Sequence, residues 1–288
     1  MPSEFCPCAV HASDSEPAAR GRAHPKKSLG QHFLRDEGAC RRIVDLARVE
    51  AGDQVLEIGP GRGALTRFLR PLPWSRLILV EKDDALAAEH AARPLPGLQV
   101  VHGDALAFDW TSLAGGWKIV GNLPYNVASP LMWDIVSRVP ELRRAVFMIQ
   151  KEVADRILAE PGGRAYGALS AWMRSFVAPA RGFTLGPAAF SPPPKVDSAV
   201  VTLTPLPPEQ RPQRPDALAV LIKVCFGRRR KQLQGILRRA FPDLPTADIL
   251  TDLNLKPDRR PETLTPQDFQ RLADKVLPPA ADTAHETT

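Results

Sequence analysis

Residues 54–65 read QVLEIGPGRGAL, and the reading of this stretch decides the fold. Gln54 to Ile58 is a run of strand length with Val55, Leu56 and Ile58 apolar, and Gly59, Gly61 and Gly63 follow it at alternate positions. Glycine takes positive φ freely and carries no Cβ, so such a turn brings main chain close to a ligand at the start of the next helix. A strand, a glycine loop and a helix in that order open a βαβ unit. Three glycines also suit an ordinary turn, and Ala64 satisfies the permissive last position of the dinucleotide fingerprint, so the loop alone fits NAD as well. The rest of the chain must separate these readings.

Outward from this stretch, RLILVE (76–81), LQVVHG (98–103), WKIVGN (117–122) and AVFMIQ (145–150) repeat the strand pattern, each followed by a turn and a helix candidate. That alternation predicts a parallel sheet covered on both faces, a doubly wound α/β domain. Such sheets bind ligands at the carboxyl ends of their strands. The second strand ends at Glu81, 22 residues beyond Gly59, where a carboxylate grips a ribose diol through two hydrogen bonds. The third leads into Gly103-Asp104, whose carboxylate is placed to accept from an adenine amino group, and the fourth ends at Asn122. Any one of these is an ordinary helix N-cap. Polar endings on successive strands of one sheet are not explained by capping.

The fourth strand runs into GNLPYNVASP, residues 121–130. Asn, Pro and Gly are recruited by turns for conformational reasons alone, which is the plain reading of Asn122-Leu123-Pro124-Tyr125 in isolation. That reading predicts no aromatic after the proline, and it leaves the strand-end groups without a purpose.

The chain has 288 residues, 44% apolar and 24% charged, the balance of a globular protein of about two domains. No apolar stretch reaches the ~18–20 residues of a membrane span, and the N-terminus lacks an export signal, so a cytoplasmic protein is expected. Four cysteines form no CxxC pair; neither structural zinc nor a disulfide framework is expected, and no metal site is assigned. Cys6 and Cys8 share a polar leader, whereas Cys40 and Cys225 sit in apolar contexts. The net charge of +6 permits a nucleic-acid partner. Its distribution says more: KVCFGRRRKQLQGILRR, residues 223–239, holds seven cations and no acid. A charge run is usually a solvated helix face, but such faces interleave both signs. This run, with Phe226, Leu233, Ile236 and Leu237 at helical spacing, reads as an amphipathic helix offering Arg228, Arg229, Arg230 and Lys231 to nucleic-acid phosphates.

Pro-rich LTPLPPEQRPQRP, residues 203–215, reads as an extended linker. Beyond it DALAVLIKVCF, KQLQGILRRAF, TADILTDL and PQDFQRLADKV predict a small helical bundle. The expected organisation is a disordered leader (1–24), a catalytic domain (25–205), a helical RNA-binding domain (206–275) and a disordered tail (276–288).

In that order, EIGPGRGALT, VEKD, GDAL and GNLPY resemble the Rossmann-like fold of the methyltransferases that bind S-adenosylmethionine. The Asn-Leu-Pro-Tyr tetrad is similar to the motif of enzymes that methylate exocyclic amines of bases. KKSLGQHFL (26–34) and FSPPPKVDSAVV (190–201) resemble the flanking signatures of the ribosomal RNA adenine N6-dimethyltransferases. With QKEVADRI (150–157), the chain is similar to the bacterial small-subunit branch of that family over about residues 25–275. The resemblance implies S-adenosylmethionine as methyl donor and, as substrate, two adjacent adenosines near the 3′ end of 16S ribosomal RNA in the small subunit, with a role in ribosome biogenesis. Nothing points to an obligate dimer, and a monomer is expected.

Adenine N6 is a poor nucleophile because its lone pair is delocalised into the ring. Two acceptors, the Asn122 side-chain oxygen and a main-chain carbonyl near Leu123 or Pro124, would hold its hydrogens and aim the lone pair at the methyl group. Pro124 confines Leu123 to extended conformations, and Tyr125 offers a face on which the unstacked base can lie. The cofactor set implied is His32, Leu34, Gly59, Glu81, Asp104 and Asn122. Many relatives have Asn in place of His32, which leaves open whether its ring or its main chain makes the contact. Phe190 resembles an aromatic lining the base pocket, although core is the commoner role for phenylalanine; Phe183 is a weaker candidate of the same kind. Three alternatives stand beside this reading. One is a 23S ribosomal RNA methyltransferase of the antibiotic-resistance type, disfavoured by FSPPPKVDS and the basic helical part. A DNA adenine methyltransferase usually opens its motif with Asp or Ser. The third is a non-catalytic assembly factor, which would have no use for Glu81, Asp104 and Asn122.

Overall fold

The computed structural model describes residues 32–277. The leader with Cys6 and Cys8, the KKSLGQ part of the first flanking signature, and residues 278–288 lie outside the described residues.

The described residues open with β1 (Phe33–Leu34), α1 (Glu37–Ala47), β2 (Gln54–Ile58), α2 (Thr66–Leu69), β3 (Arg76–Glu81), α3 (Asp84–Ala91), β4 (Leu98–His102) and β5 (Trp117–Asn122). It continues through α4 (Ala128–Arg138), β6 (Leu142–Gln150), α5 (Lys151–Leu158), α6 (Ala168–Phe176), β7 (Val177–Leu185), β8 (Phe190–Ser191) and β9 (Ser198–Pro205). Seven strands form one sheet in the order β4-β3-β2-β5-β6-β9-β7. From β4 to β6 the pairings are parallel, as the alternating pattern predicts.

Neighbouring residues of the central strands enter cores on opposite sheet faces. Val55, Leu77, Leu79 and Val120 pack with Ile43 and Val44 of α1, whereas Leu56, Ile78, Val80 and Ile119 pack with Leu131 and Ile135 of α4. Burial on both faces is why these strands read as unbroken apolar runs rather than alternating ones.

The sheet differs from expectation at one edge. β9 runs antiparallel to both β6 and β7, so the sheet is mixed. β7 carries Pro179 and Gly182, residues that weaken a strand signal and are tolerated at an edge. After β4 the chain forms only two short 3-10 turns, Ala105–Ala107 and Trp110–Ser112, rather than a full helix.

Among the described residues four helices follow the Pro-rich segment: α7 (Pro215–Phe226), α8 (Leu233–Ala240), α9 (Thr246–Asp252) and α10 (Pro266–Val276). Leu218, Leu221, Phe269 and Leu272 of α7 and α10 join the same apolar cluster as Trp172 and Met173 of α6. Trp172 in turn stacks on Trp133 of α4 at 4.0 Å. Val276 is buried within α10, so ordered structure passes the expected end at residue 275.

The basic run is not one helix. α7 ends at Phe226, residues 227–231 form turns, and α8 starts at Leu233, with its first amides donating to the Arg259 and Pro257 carbonyls. Phe226 and Leu233 are seven residues apart, which keeps the apolar period intact across the break and hides it; Gly227 is the only signal of a stop.

Candidate active site

The parallel register sets Ile58 beside Val80 and Gly121, and Glu81 beside His102. The groups that follow each strand therefore emerge along one edge of the sheet. There Gly59, Gly61 and Gly63 have φ of +62°, +55° and +80°, the left-handed region in which a side chain is strained. Glu81, almost fully buried, holds this loop: one carboxylate oxygen accepts from the Gly61 amide and the other from the Asp83 amide, both at 2.9 Å. His90 adds a bond from Nε2 to the Gly61 carbonyl at 2.8 Å; a carbonyl only accepts, so that nitrogen carries the proton. Glu81 thus builds the loop first, and the second lone pair on each oxygen is what remains for a ribose.

Asp104 starts the first 3-10 turn by accepting from the Leu106 amide, and it pairs with Lys82 at 2.7 Å. The Lys82 hydrogen bond, then the Leu106 amide, hold its carboxyl below the usual range, so it stays an anionic acceptor at neutral pH.

Leu123 is buried and anchors the tetrad, its amide donating to the Met148 carbonyl. The Asn122 Nδ2 donates to the His32 carbonyl at 3.0 Å. That carbonyl cannot donate, so the amide orientation is fixed and Oδ1 is the atom left over. The Pro124 carbonyl accepts from the Val127 and Ala128 amides at the start of α4. Among the described residues no donor reaches the Leu123 carbonyl, which narrows the choice between the two main-chain acceptors. The Tyr125 hydroxyl meets Ser198 Oγ at 2.7 Å, and its ring stacks on His32 at 5.6 Å between centroids. The His32 ring also bonds through Nδ1 to the Pro192 carbonyl.

His32, Leu34, Gly59, Glu81, Asp104 and Asn122 to Tyr125 line one open cleft of about 1140 Å³ including its mouth. A Cβ built on Gly59 or Gly103 meets nothing within 4 Å, so the main chain at both positions is open for close approach. With an anionic acceptor at Asp104, a buried carboxylate at Glu81 and this backbone cradle, the residues present fit an adenosyl cofactor.

One cleft residue carries no assignment from sequence. Glu57, on β2 beneath the glycine loop, is 1% exposed, and its Oε2 accepts from the Thr66 hydroxyl at 2.7 Å. Burial pushes its carboxyl up to about 8, against the Thr66 bond and with Glu81 nearby. It is a largely neutral acid at pH 7. Its signal was its position, a carboxylate inside a strand between the apolar residues Val55, Leu56 and Ile58.

Phe190 falls outside this cleft: it is buried against Leu34 in the core. Phe183 lies under the Arg42 guanidinium at 3.7 Å. Arg228, Arg229, Arg230 and Lys231 are also remote, on the turn between α7 and α8. Arg229 is engaged with Glu262 at 2.7 Å and with the Arg164 carbonyl. Among the described residues the side chains of Arg228, Arg230 and Lys231 have no acidic partner. No group of three or more His, Cys, Asp or Glu residues able to hold a metal occurs among the described residues. Cys40 and Cys225 are buried free thiols, and no described helix is long and apolar enough to cross a membrane.

Comparison with known proteins agrees with this geometry. The profile of the family described as ribosomal RNA adenine dimethylase matches residues 22–275. The chain is 48% identical over 256 residues to ribosomal RNA small subunit methyltransferase A of Lawsonia intracellularis, covering 88% of this chain and 94% of that protein. It is 51% identical over 261 residues to the protein of the same name from Nitratidesulfovibrio vulgaris strain DP4, covering 87% and 96%. Among solved structures it is similar to a dimethyladenosine transferase from Plasmodium falciparum, with TM-score 0.73 and 29% identity over 84% of this chain and 96% of that one. The fold is shared with the 23S rRNA methyltransferase ErmE, with TM-score 0.63 and 23% identity over 85% and 99%. From its sequence, its mixed α/β sheet and its strand-end cleft together, the chain belongs to the ribosomal RNA adenine dimethylase family.

Proposed function

We propose that this protein transfers methyl groups from S-adenosylmethionine to adenosine N6, twice on each of two adjacent adenosines near the 3′ end of 16S ribosomal RNA, in the small subunit and in the cytoplasm. It acts as a monomer in ribosome biogenesis. The observation that carries the reading is the Asn122 amide, pinned by the His32 carbonyl with Oδ1 left over, in the same cleft as the glycine loop. The names of the relatives favour the small subunit over the large.

The cofactor supplies an electrophilic methyl group on a sulfonium; everything else falls to the chain. Asn122 Oδ1 and the Leu123 carbonyl accept the two N6 hydrogens and draw the nitrogen lone pair out of conjugation. As positive charge grows on that nitrogen, the same fixed dipoles stabilise it without reorganising. Tyr125 presents its ring to the base. After the first transfer the cationic nitrogen loses one proton to solvent through the open cleft, a single N–H remains, and one acceptor still holds it, so the same site serves the second methylation. Glu81, Asp104, Gly59, His32 and Leu34 hold the cofactor, with Glu81 acting partly through the loop it fixes.

Residues 25–205 form the catalytic part, and residues 206–275 present the RNA contact. Arg228, Arg230 and Lys231, lacking acidic partners, are its principal phosphate contacts, and Arg229 contributes less because Glu262 already neutralises it. Asn122→Ala tests the reading. It is expected to slow methyl transfer at least about 100-fold while RNA affinity stays within about twofold, since phosphate contacts dominate affinity. Equal loss of transfer and binding would overturn it.

A further inference from the structure

We infer that Ser198 is a positioning residue for methyl transfer, which acts by fixing the Tyr125 ring through its hydroxyl. The inference rests on the function proposed above. Ser198 opens β9, is fully buried, and is held by its ladder positions opposite Gln150 of β6 and Leu185 of β7. A hydroxyl at such a site is costly unless it is hydrogen-bonded. Among the described residues its one side-chain partner is the Tyr125 hydroxyl at 2.7 Å. The strand that follows, Ala199 to Leu203, is apolar except for Thr202, so a small apolar residue would satisfy packing there equally well.

Tyr125 is thereby fixed at two points. Ser198 anchors the hydroxyl, and the His32 ring lies against one face at 5.6 Å and 28°. His32 is itself tied by Nδ1 to the Pro192 carbonyl at 2.8 Å. The segments carrying these two residues are joined by the β1–β8 ladder, Phe33 opposite Ser191 and Leu34 opposite Phe190. A tyrosine following a turn proline would otherwise sample several rotamers. With its hydroxyl and one face held, the ring has one orientation where it lines the cleft, the pre-organisation that a stacked base needs.

The test is a double-mutant cycle on Ser198→Ala and Tyr125→Phe, read by the single-turnover rate of methyl transfer to unmodified small-subunit particles. The equilibrium Kd for S-adenosylmethionine and thermal unfolding are measured on the same samples. Each single variant is expected to slow transfer about 5- to 10-fold, with the double variant no slower than the worse single, because both remove one bond. Cofactor Kd should stay within about twofold of wild type. Tyr125→Phe keeps the ring and leaves β9 untouched, so its rate reads the anchor even if Ser198→Ala folds poorly. Wild-type rates in either single variant, multiplied losses in the double, or a loss of cofactor affinity that matches the rate would overturn the inference. A wild-type enzyme that methylates no adenosine would remove the proposed function as well, whereas an active wild type with multiplied losses removes the positioning role alone.

Discussion

Replacing Glu57 with glutamine isolates the buried acid beneath the glycine loop. The carboxyl is fully enclosed, and burial raises it from an ordinary 4.5 to about 8. Between those values the native state keeps a proton that the unfolded chain releases. Stability therefore falls as pH rises through this window and levels off above about 8. The slope approaches about 1.4 kcal/mol per pH unit where the difference is one full proton. It flattens as the native carboxyl begins to ionise, so the loss attributable to Glu57 between about pH 6 and 9 is about 2.5 kcal/mol. Glutamine retains an acceptor for the Thr66 hydroxyl and cannot ionise. Urea unfolding of wild type and Glu57→Gln at intervals across that range should show the wild type losing about 2.5 kcal/mol more than the variant. Parallel pH profiles would refute the reasoning, since they would mean that Glu57 is already ionised in the folded protein.

Two further outcomes follow from the geometry. Neutralising Arg228, Arg230 and Lys231 to glutamine should weaken binding to small subunits and reduce the slope of log affinity against log salt by about 2 to 3, because three phosphate contacts no longer release counterions; an unchanged slope would move the RNA surface elsewhere. Gly61→Ala places a Cβ at φ +55° and 3.2 Å from the Phe33 ring, so a loss of about 1–2 kcal/mol in unfolding stability and weaker cofactor binding by titration are expected. A variant with wild-type Tm and cofactor Kd would contradict the strained-loop account.

How much of this was legible in the sequence depends on the range of the interactions involved. The central strands β2, β3 and β5 were readable because their middles, Val55-Leu56, Leu77 to Val80 and Ile119-Val120, are apolar and buried on both faces, whereas the partly exposed edge strand β4 was readable from Leu98, Val100 and Val101. Their polar ends, Glu81, Asp104 and Asn122, were readable because parallel register carries every strand end to one edge. The four C-terminal helices carry their own periodicity and start signals. What escaped depends on distant partners. β7 and β9 pair antiparallel to each other, and neither shows that pairing locally. The start of α8 after the break at Gly227 is held by the carbonyls of residues 257 and 259, 30 and 32 residues beyond that glycine. Phe190 resembles a pocket aromatic in its local pattern, but its pairing with Leu34 turns it into the core. The choice between the Leu123 and Pro124 carbonyls turned on how α4 begins, and the role of Glu57 turned on burial, which a single position does not reveal.

The measurement that tests the central claim most directly is transfer of labelled methyl from S-adenosylmethionine to unmodified small subunits, large subunits and DNA in parallel, with the labelled nucleoside identified. The account predicts N6,N6-dimethyladenosine from small subunits alone. Label in large-subunit RNA or DNA, or none in small subunits that the protein nevertheless binds, would contradict it.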